Sequence, residues 1–280
     1  MLGVASKKIA EGKIPMLTPV QIDNRIDAHL GIPEGIGKRP AIIHMHERYG
    51  IVQHTMDLGE KYVQAGYVTI VPDYFSRFTG DRAKLAEGND RCELSDDEVL
   101  LDTDAVVDYL GTLPQVDIGK IAMSGVCQTG RQPILLAAKR DYLAAAVVLY
   151  GAVYEADWKT HALRPESIED LLKEMTCPLT AVFGELDNLI HLDNIVRMAA
   201  VLAAAKKSFG IRVYPDAPHG FLNDTMPGRY RQPQSDAAWN QITSFLKSVF
   251  AGEWKKERAI WRFEADSAVN YDFASMKRWE

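Results

Sequence analysis

Nowhere in this 280-residue chain do apolar residues run unbroken for about 18 positions, the least that a membrane-crossing helix needs, so a membrane partner is not expected. A basic excess is also missing. Lys and Arg number 32 against 38 Asp and Glu, for a formal charge of -6, and no basic stripe exists to neutralise the phosphates of a nucleic acid. Cysteine is scarce: Cys92, Cys127 and Cys177 are an odd count, widely spaced, with no C-x-x-C pair to form a zinc ribbon or redox dithiol. Free thiols in a reducing compartment are the expectation. Residues 1–15 carry lysines but neither the apolar run nor the small-residue cleavage site of a secretory signal, so a cytoplasmic location is expected. Internal repeats and low-complexity tracts are absent as well.

What the chain does have is ordinary globular material, 47% hydrophobic and 25% charged, enough for a substantial core in one domain. Residues 16–32 alternate apolar and polar positions around an Asp23-Asn24 turn signal, which predicts two antiparallel strands. Continuous apolar runs at 41–45, 68–71, 121–123, 145–150 and 179–183 read as strands buried on both faces, with a last short strand at 211–214. Helical periodicity fills the gaps at about 55–65, 97–111, 129–139, 192–207 and 235–250. Strands alternating with helices predict an α/β fold with a mostly parallel, doubly wound sheet. The main domain is assigned to residues 1–252. Residues 253–280 read as a C-terminal extension, in which Trp254, Trp261, Phe263, Tyr271, Phe273 and Trp279 are too many aromatics for a solvated tail. It is expected to pack on its own domain or to join two copies of the chain.

The chemistry concentrates at Ile121-Ala122-Met123-Ser124-Gly125-Val126-Cys127-Gln128-Thr129-Gly130, an apolar strand running through small residues into a helix. This is the layout of a nucleophile elbow, where a strained turn exposes the nucleophile at a helix N-terminus that favours developing negative charge. Thr129 stands where such a turn usually has glycine, and Gly130 follows it. A thiol nucleophile needs a base, and Pro218-His219-Gly220 places a histidine in the turn after the final predicted strand. The third member is expected after an earlier strand. Ala181-Val182-Phe183-Gly184-Glu185-Leu186-Asp187 offers two carboxylates, of which Asp187 lies farther along the loop and Glu185 is the weaker alternative. The order Cys127, Asp187, His219 is that of α/β-hydrolases and differs from that of chymotrypsin-like and subtilisin-like proteases.

With these residues the chain resembles the dienelactone hydrolase family, through His46-Glu47-Arg48-Tyr49-Gly50, Pro72-Asp73-Tyr74-Phe75-Ser76-Arg77, the Cys127 elbow and Pro218-His219-Gly220-Phe221. The resemblance covers about residues 16 to 250 and implies an α/β-hydrolase fold acting on a small-molecule ester or lactone. It implies that Glu47 faces the nucleophile and helps to switch Cys127 between thiol and thiolate. It also implies that the backbone N–H groups of Arg48 and Gln128 form the oxyanion hole, and that Arg77 binds a substrate carboxylate. The family's second carboxylate-binding arginine is not matched, since Phe221-Leu222-Asn223-Asp224 come after His219-Gly220; Arg229 and Arg131 are the candidates for that place.

Two other readings compete. A metal-dependent hydrolase would use His44, His46 and an acid, but strand histidines two apart more often pack and hydrogen-bond, so no metal and no cofactor is expected. A binding protein of the same fold that has lost turnover is the non-enzymatic alternative.

Overall fold

The apolar runs assemble into one nine-stranded sheet in the computed structural model, which describes residues 16–255 and 257–267. β1 (Thr18–Ile22) and β2 (Ile26–Gly31) form the expected hairpin, turning through Asp23 and Asn24 at φ 52° and 53°. Both values lie in the left-handed region that such a two-residue turn requires, and Asn and Asp tolerate it better than most residues. There follow β3 (Arg39–His44), α1 (Gln53–Gln64), β4 (Val68–Pro72), α2 (Arg82–Ala86), α3 (Asp96–Thr112) and β5 (Val116–Val126). A 3-10 turn over Cys127–Arg131 leads into α4 (Gln132–Lys139), β6 (Leu143–Leu149), α5 (Ile168–Glu174), β7 (Leu179–Gly184), α6 (Leu192–Ala204), β8 (Phe209–Tyr214), α7 (Gln232–Phe250) and β9 (Trp261–Ala265).

The strand order is β1-β2-β4-β3-β5-β6-β7-β8-β9, parallel from β4 onwards, with β1 and β2 antiparallel at one edge. This is the expected mostly parallel, helix-flanked sheet of an α/β-hydrolase. Successive side chains of a strand serve opposite faces. In β3, Ala41 and Ile43 join the core beneath α3, α4, α5 and α6, whereas Ile42 joins Leu58 of α1 and Ile242 and Phe245 of α7. Burial on both faces is why the central strands read as unbroken apolar runs.

The C-terminal segment adds an element that the sequence reading did not anticipate. β9 continues the sheet in parallel register with β8, pairing Phe209 with Trp261 and Ile211 with Phe263, so the strand at 209–214 is not the last. Trp254 packs edge-on against Phe245 at 5.0 Å and donates from Nε1 to Ser248 Oγ at 2.7 Å. The described part of the extension thus folds back on its own chain; Tyr271, Phe273 and Trp279 lie outside the described residues. Among the described residues no helix is long and apolar enough to cross a membrane.

Buried histidines give the fold a pH dependence of definite sign. Burial, with the neighbouring His54 and His46 rings adding to it, pushes His44 down from 6.5 to about 3, and both its ring nitrogens are buried without a hydrogen-bond partner. The unfolded chain takes up a proton near pH 6.5 that the folded chain refuses. This site therefore costs stability as pH falls from 6.5 towards 3, at about 1.4 kcal/mol per pH unit. Urea unfolding of His44→Phe should gain about 2 kcal/mol relative to wild type between pH 6.5 and 5. Parallel stability curves for the two proteins would remove His44 as the source.

Candidate active site at the ends of three parallel strands

β5 ends in a turn so tight that Cys127, a residue with a side chain, takes φ 54°. A non-glycine residue held in the left-handed region is costly and points to a functional constraint. The close packing explains the small residues around it. A Cβ on Gly125 would lie 2.3 Å from the Thr129 carbonyl oxygen, and one on Gly130 would lie 2.6 Å from Gly151 Cα at the end of β6.

Thr129 occupies its unusual position for a reason visible in its hydrogen bonds. Its hydroxyl accepts from the Val126 N–H at 2.9 Å and lies 3.0 Å from the carbonyl oxygens of both Val126 and His46, one of which takes its proton. A glycine here would leave the elbow untied from the segment after β3 that carries Glu47 and Arg48. Thr129→Val, which leaves the buried Val126 N–H unpaired, should lower unfolding stability by about 1–3 kcal/mol. An unchanged denaturation midpoint would remove the hydroxyl from this role.

The next strands deliver the other two residues. β7 ends at Gly184, whose hypothetical Cβ would sit 2.1 Å from the Ala217 carbonyl oxygen, so the loops after β7 and β8 touch backbone to backbone. Glu185 N–H donates to Tyr214 O and Leu186 N–H to Ala217 O, both at 2.9 Å. Glu185, the alternative acid, accepts from the Asp216 N–H at 3.2 Å and braces this junction. Asp187 is fully buried. Its Oδ1 accepts from the N–H groups of Leu189 at 2.8 Å and Ile190 at 3.0 Å, leaving Oδ2 2.8 Å from His219 Nδ1. On its other side His219 Nε2 lies 3.2 Å from Cys127 Sγ. Burial opposes the imidazolium, but the charges of Asp187 and of an ionised Cys127, with their hydrogen bonds, hold the His219 pKa well above its ordinary value. The structure therefore brings Cys127, His219 and Asp187 into one hydrogen-bonded line.

That line opens into a cleft of about 370 Å³, which Glu47, Arg48 and Gln128 also border. Glu47 is buried, in a tight turn closed by Gly50 N–H to Glu47 O at 3.1 Å. Such a turn makes no use of the N–H of its second residue, Arg48. Gln128 is the second residue of the 3-10 turn into α4, where the first N–H groups have no intrahelical acceptor. A larger groove, about 640 Å³, lies between α7 and the β8–β9 edge, but Cys127, Asp187 and His219 do not line it, and chemistry rather than size selects the smaller one.

Arg77 falls elsewhere, which corrects its expected role as the substrate's carboxylate anchor. Its guanidinium is committed to Asp102 of α3, with Nη2 at 2.7 Å from Oδ1 and Nη1 on Oδ2, and Nε is 3.7 Å from Glu98. Arg77 does not line the cleft. Arg131 does not line it either, being buried in an ion pair with Asp96 at 2.8 Å. Arg229 does line the cleft, together with two arginines that sequence reasoning missed, Arg91 and Arg164. Tyr154 was missed too, and its hydroxyl is 3.5 Å from Cys127 Sγ. These residues come from irregular segments in which no period or motif marks them. His46 spends both ring nitrogens on the backbone, one 2.9 Å from Glu47 O and the other accepting from Tyr74 N–H at 3.1 Å.

The family model of the dienelactone hydrolase family matches residues 26–250. The chain belongs to the dienelactone hydrolase family. Among its relatives is a protein of Methylorubrum extorquens assigned as a carboxymethylenebutenolidase, 27% identical over 242 residues, 85% of this chain and 80% of the relative. A Bradyrhizobium protein assigned as a 2-oxo-3-(5-oxofuran-2-ylidene)propanoate lactonase is 27% identical over 228 residues, covering 81% and 90% of the two chains. A crystal structure from Klebsiella pneumoniae, assigned as a dienelactone hydrolase, superposes with a TM-score of 0.72 at 26% identity, over 79% of this chain and 92% of that one. This dienelactone hydrolase family member is thus an ester or lactone hydrolase.

Proposed function

We propose that the chain hydrolyses a carboxylate-bearing ester or lactone through a Cys127-His219-Asp187 triad and an acyl-thioester intermediate. The observation that carries this reading is the unbroken line from Asp187 Oδ2 through both ring nitrogens of His219 to the sulfur at the elbow. As the sulfur attacks the acyl carbon, its proton passes to His219 Nε2, and the carbonyl oxygen becomes an oxyanion. The N–H groups of Arg48 and Gln128 hold that oxygen, each such donor being worth about 3 kcal/mol. Collapse breaks the C–O bond, His219 protonates the leaving oxygen, and the thioester remains. Water then gives a proton to His219 as it adds to the thioester carbon. The C–S bond breaks, the acid departs, and the sulfur recovers a proton from His219. Asp187 orients the imidazole and stabilises its charged form throughout. Glu47, on the same cleft, is assigned to the protonation switch of the thiol. No metal or organic cofactor enters these steps.

The carboxylate is proposed because Arg48, Arg91, Arg164 and Arg229 border the cleft with Glu47 as the acid among its lining, and still outnumber the acids when Glu93 and Asp157, which pair with Arg91 and Arg164 outside the lining, are counted. The chain as a whole is acidic. Such a local reversal of sign draws anions towards the nucleophile. The test is hydrolysis, followed by absorbance, of a dienelactone and of an uncharged aryl ester by wild type and Arg91→Gln. Arg91 is chosen because its Nε partner, Glu93, is a surface residue. KM for the dienelactone should rise about two- to fivefold in the variant, consistent with loss of one exposed charge contact, with little change for the neutral ester. Equal KM changes for both substrates would remove the carboxylate from the reading.

A further inference from the structure

Tyr154 is left unused by the mechanism above, although it is the sulfur's other hydrogen-bonding neighbour. The chain leaves β6 through Tyr150 at φ 36° and Ala152 at φ 76°, two left-handed residues with side chains flanking Gly151, and this sharp reversal carries Tyr154 back to Cys127. Strain of this kind persists only where the surroundings hold it. The holding contacts are explicit. Tyr154 N–H donates to Asp157 Oδ2 at 3.1 Å, Asp157 N–H returns a bond to Tyr154 O at 2.9 Å, and the buried Asp157 is fixed by Arg164 Nη1 at 2.9 Å. The phenol ends 3.5 Å from Sγ, within reach of an O–H···S bond, and its ring lies 6.3 Å from that of His219.

We infer that Tyr154 is a further catalytic residue, whose phenol O–H donates to the Cys127 sulfur and stabilises it whenever the sulfur carries negative charge. The inference rests on Cys127 being the nucleophile. A hydrogen bond to an ion is about twice as strong as one to a neutral group. The contact is therefore weak in the thioester, where sulfur is neutral, and strong as the C–S bond breaks and the electron pair returns to sulfur. Its largest effect falls on deacylation. The phenol keeps its proton at every stage: burial first, and then the charge and hydrogen bond of Cys127, push its pKa well above the ordinary phenol value. Tyr154 acts as a fixed donor, while the proton transfers of the acyl chemistry belong to His219 and the switching of the resting thiol to Glu47.

The test is the pH dependence of Cys127 alkylation by iodoacetamide in folded wild type and Tyr154→Phe, read by peptide mass from pH 5 to 10, with thermal midpoints to verify folding. Cys92, pushed up to about 11 by burial, serves as an internal slow reference. Loss of the phenol hydroxyl should move the midpoint of the Cys127 profile up by about one pH unit. Turnover of an acetyl aryl ester should fall about tenfold, with the first acylation burst retained. An unmoved alkylation midpoint in a folded variant overturns the role of Tyr154 and leaves Cys127 as nucleophile. Wild-type Cys127 that reacts only on unfolding overturns the triad reading itself, and this inference with it.

Discussion

Cys127→Ala is expected to lower turnover of a dienelactone by about ten-thousand-fold or more, leaving the residual rate that binding and oxyanion stabilisation alone supply. The size of the loss follows from the division of labour proposed for the site. His219 has a target only if an acidic atom lies against Nε2, and at 3.2 Å that atom is the sulfur. Alanine removes it without touching the turn, because the left-handed conformation at position 127 is held by Thr129 and by the close approach of Gly130 to Gly151. The unfolding midpoint should therefore change little while activity disappears. Cys127→Ser is expected to recover only a small part of the rate, because the site is spaced for sulfur and an oxygen on a shorter bond sits too far from Nε2 for a good O–H···N contact. Absorbance assays on the three proteins decide the matter. Undiminished hydrolysis by the alanine variant would exclude Cys127 as nucleophile, and equal rates for serine and cysteine would exclude a site tuned to the thiol.

Asp187→Asn is the second large effect, and its logic lies in which atoms are already committed. Oδ1 accepts two backbone N–H groups from the following turn, so an asparagine at this position keeps its oxygen there and turns its NH₂ towards His219. Nδ1 must then accept instead of donate. The ring proton moves to Nε2, pointing at the sulfur, and the base can no longer take the thiol proton. A loss of about ten-thousand-fold in kcat is the measured scale for this change in a serine-based triad. Because the shape and the backbone bonds survive, stability should change far less than activity. A variant with near-normal kcat at pH 7 would show that Asp187 merely fills space.

How much of this was readable from the chain depends on whether the signal was local. The central strands announce themselves because burial on both faces forces an unbroken apolar run, and the hairpin because Asp23-Asn24 is a turn chemistry in its own right. Cys127, Asp187 and His219 stand out for a related reason: each sits at the end of an apolar strand, where small or turn-forming residues mark the spot. β9 was legible in principle, since Trp261, Phe263 and Ala265 alternate with Arg262 and Glu264, but its charged composition disguised a strand that leaves Trp261 and Phe263 half exposed. Arg77 was misplaced because its sequence context says nothing of Asp102, 25 residues away on α3, which captures it. The strand order β2-β4-β3 and the cleft residues Arg91, Tyr154 and Arg164 depend on long-range packing, and no local pattern records them.

The backbone contact between the loops after β7 and β8 has a consequence for how the protein fails. In many enzymes the working residues sit on mobile loops that detach well before the scaffold melts, so activity fades ahead of structure. Here the acid and the base are joined through Leu186 N–H to Ala217 O, Glu185 to Asp216, and a glycine that permits no wider spacing. Separating them requires pulling apart the ends of two adjacent parallel strands. Heat should therefore extinguish activity and secondary structure at the same temperature, in a single cooperative step.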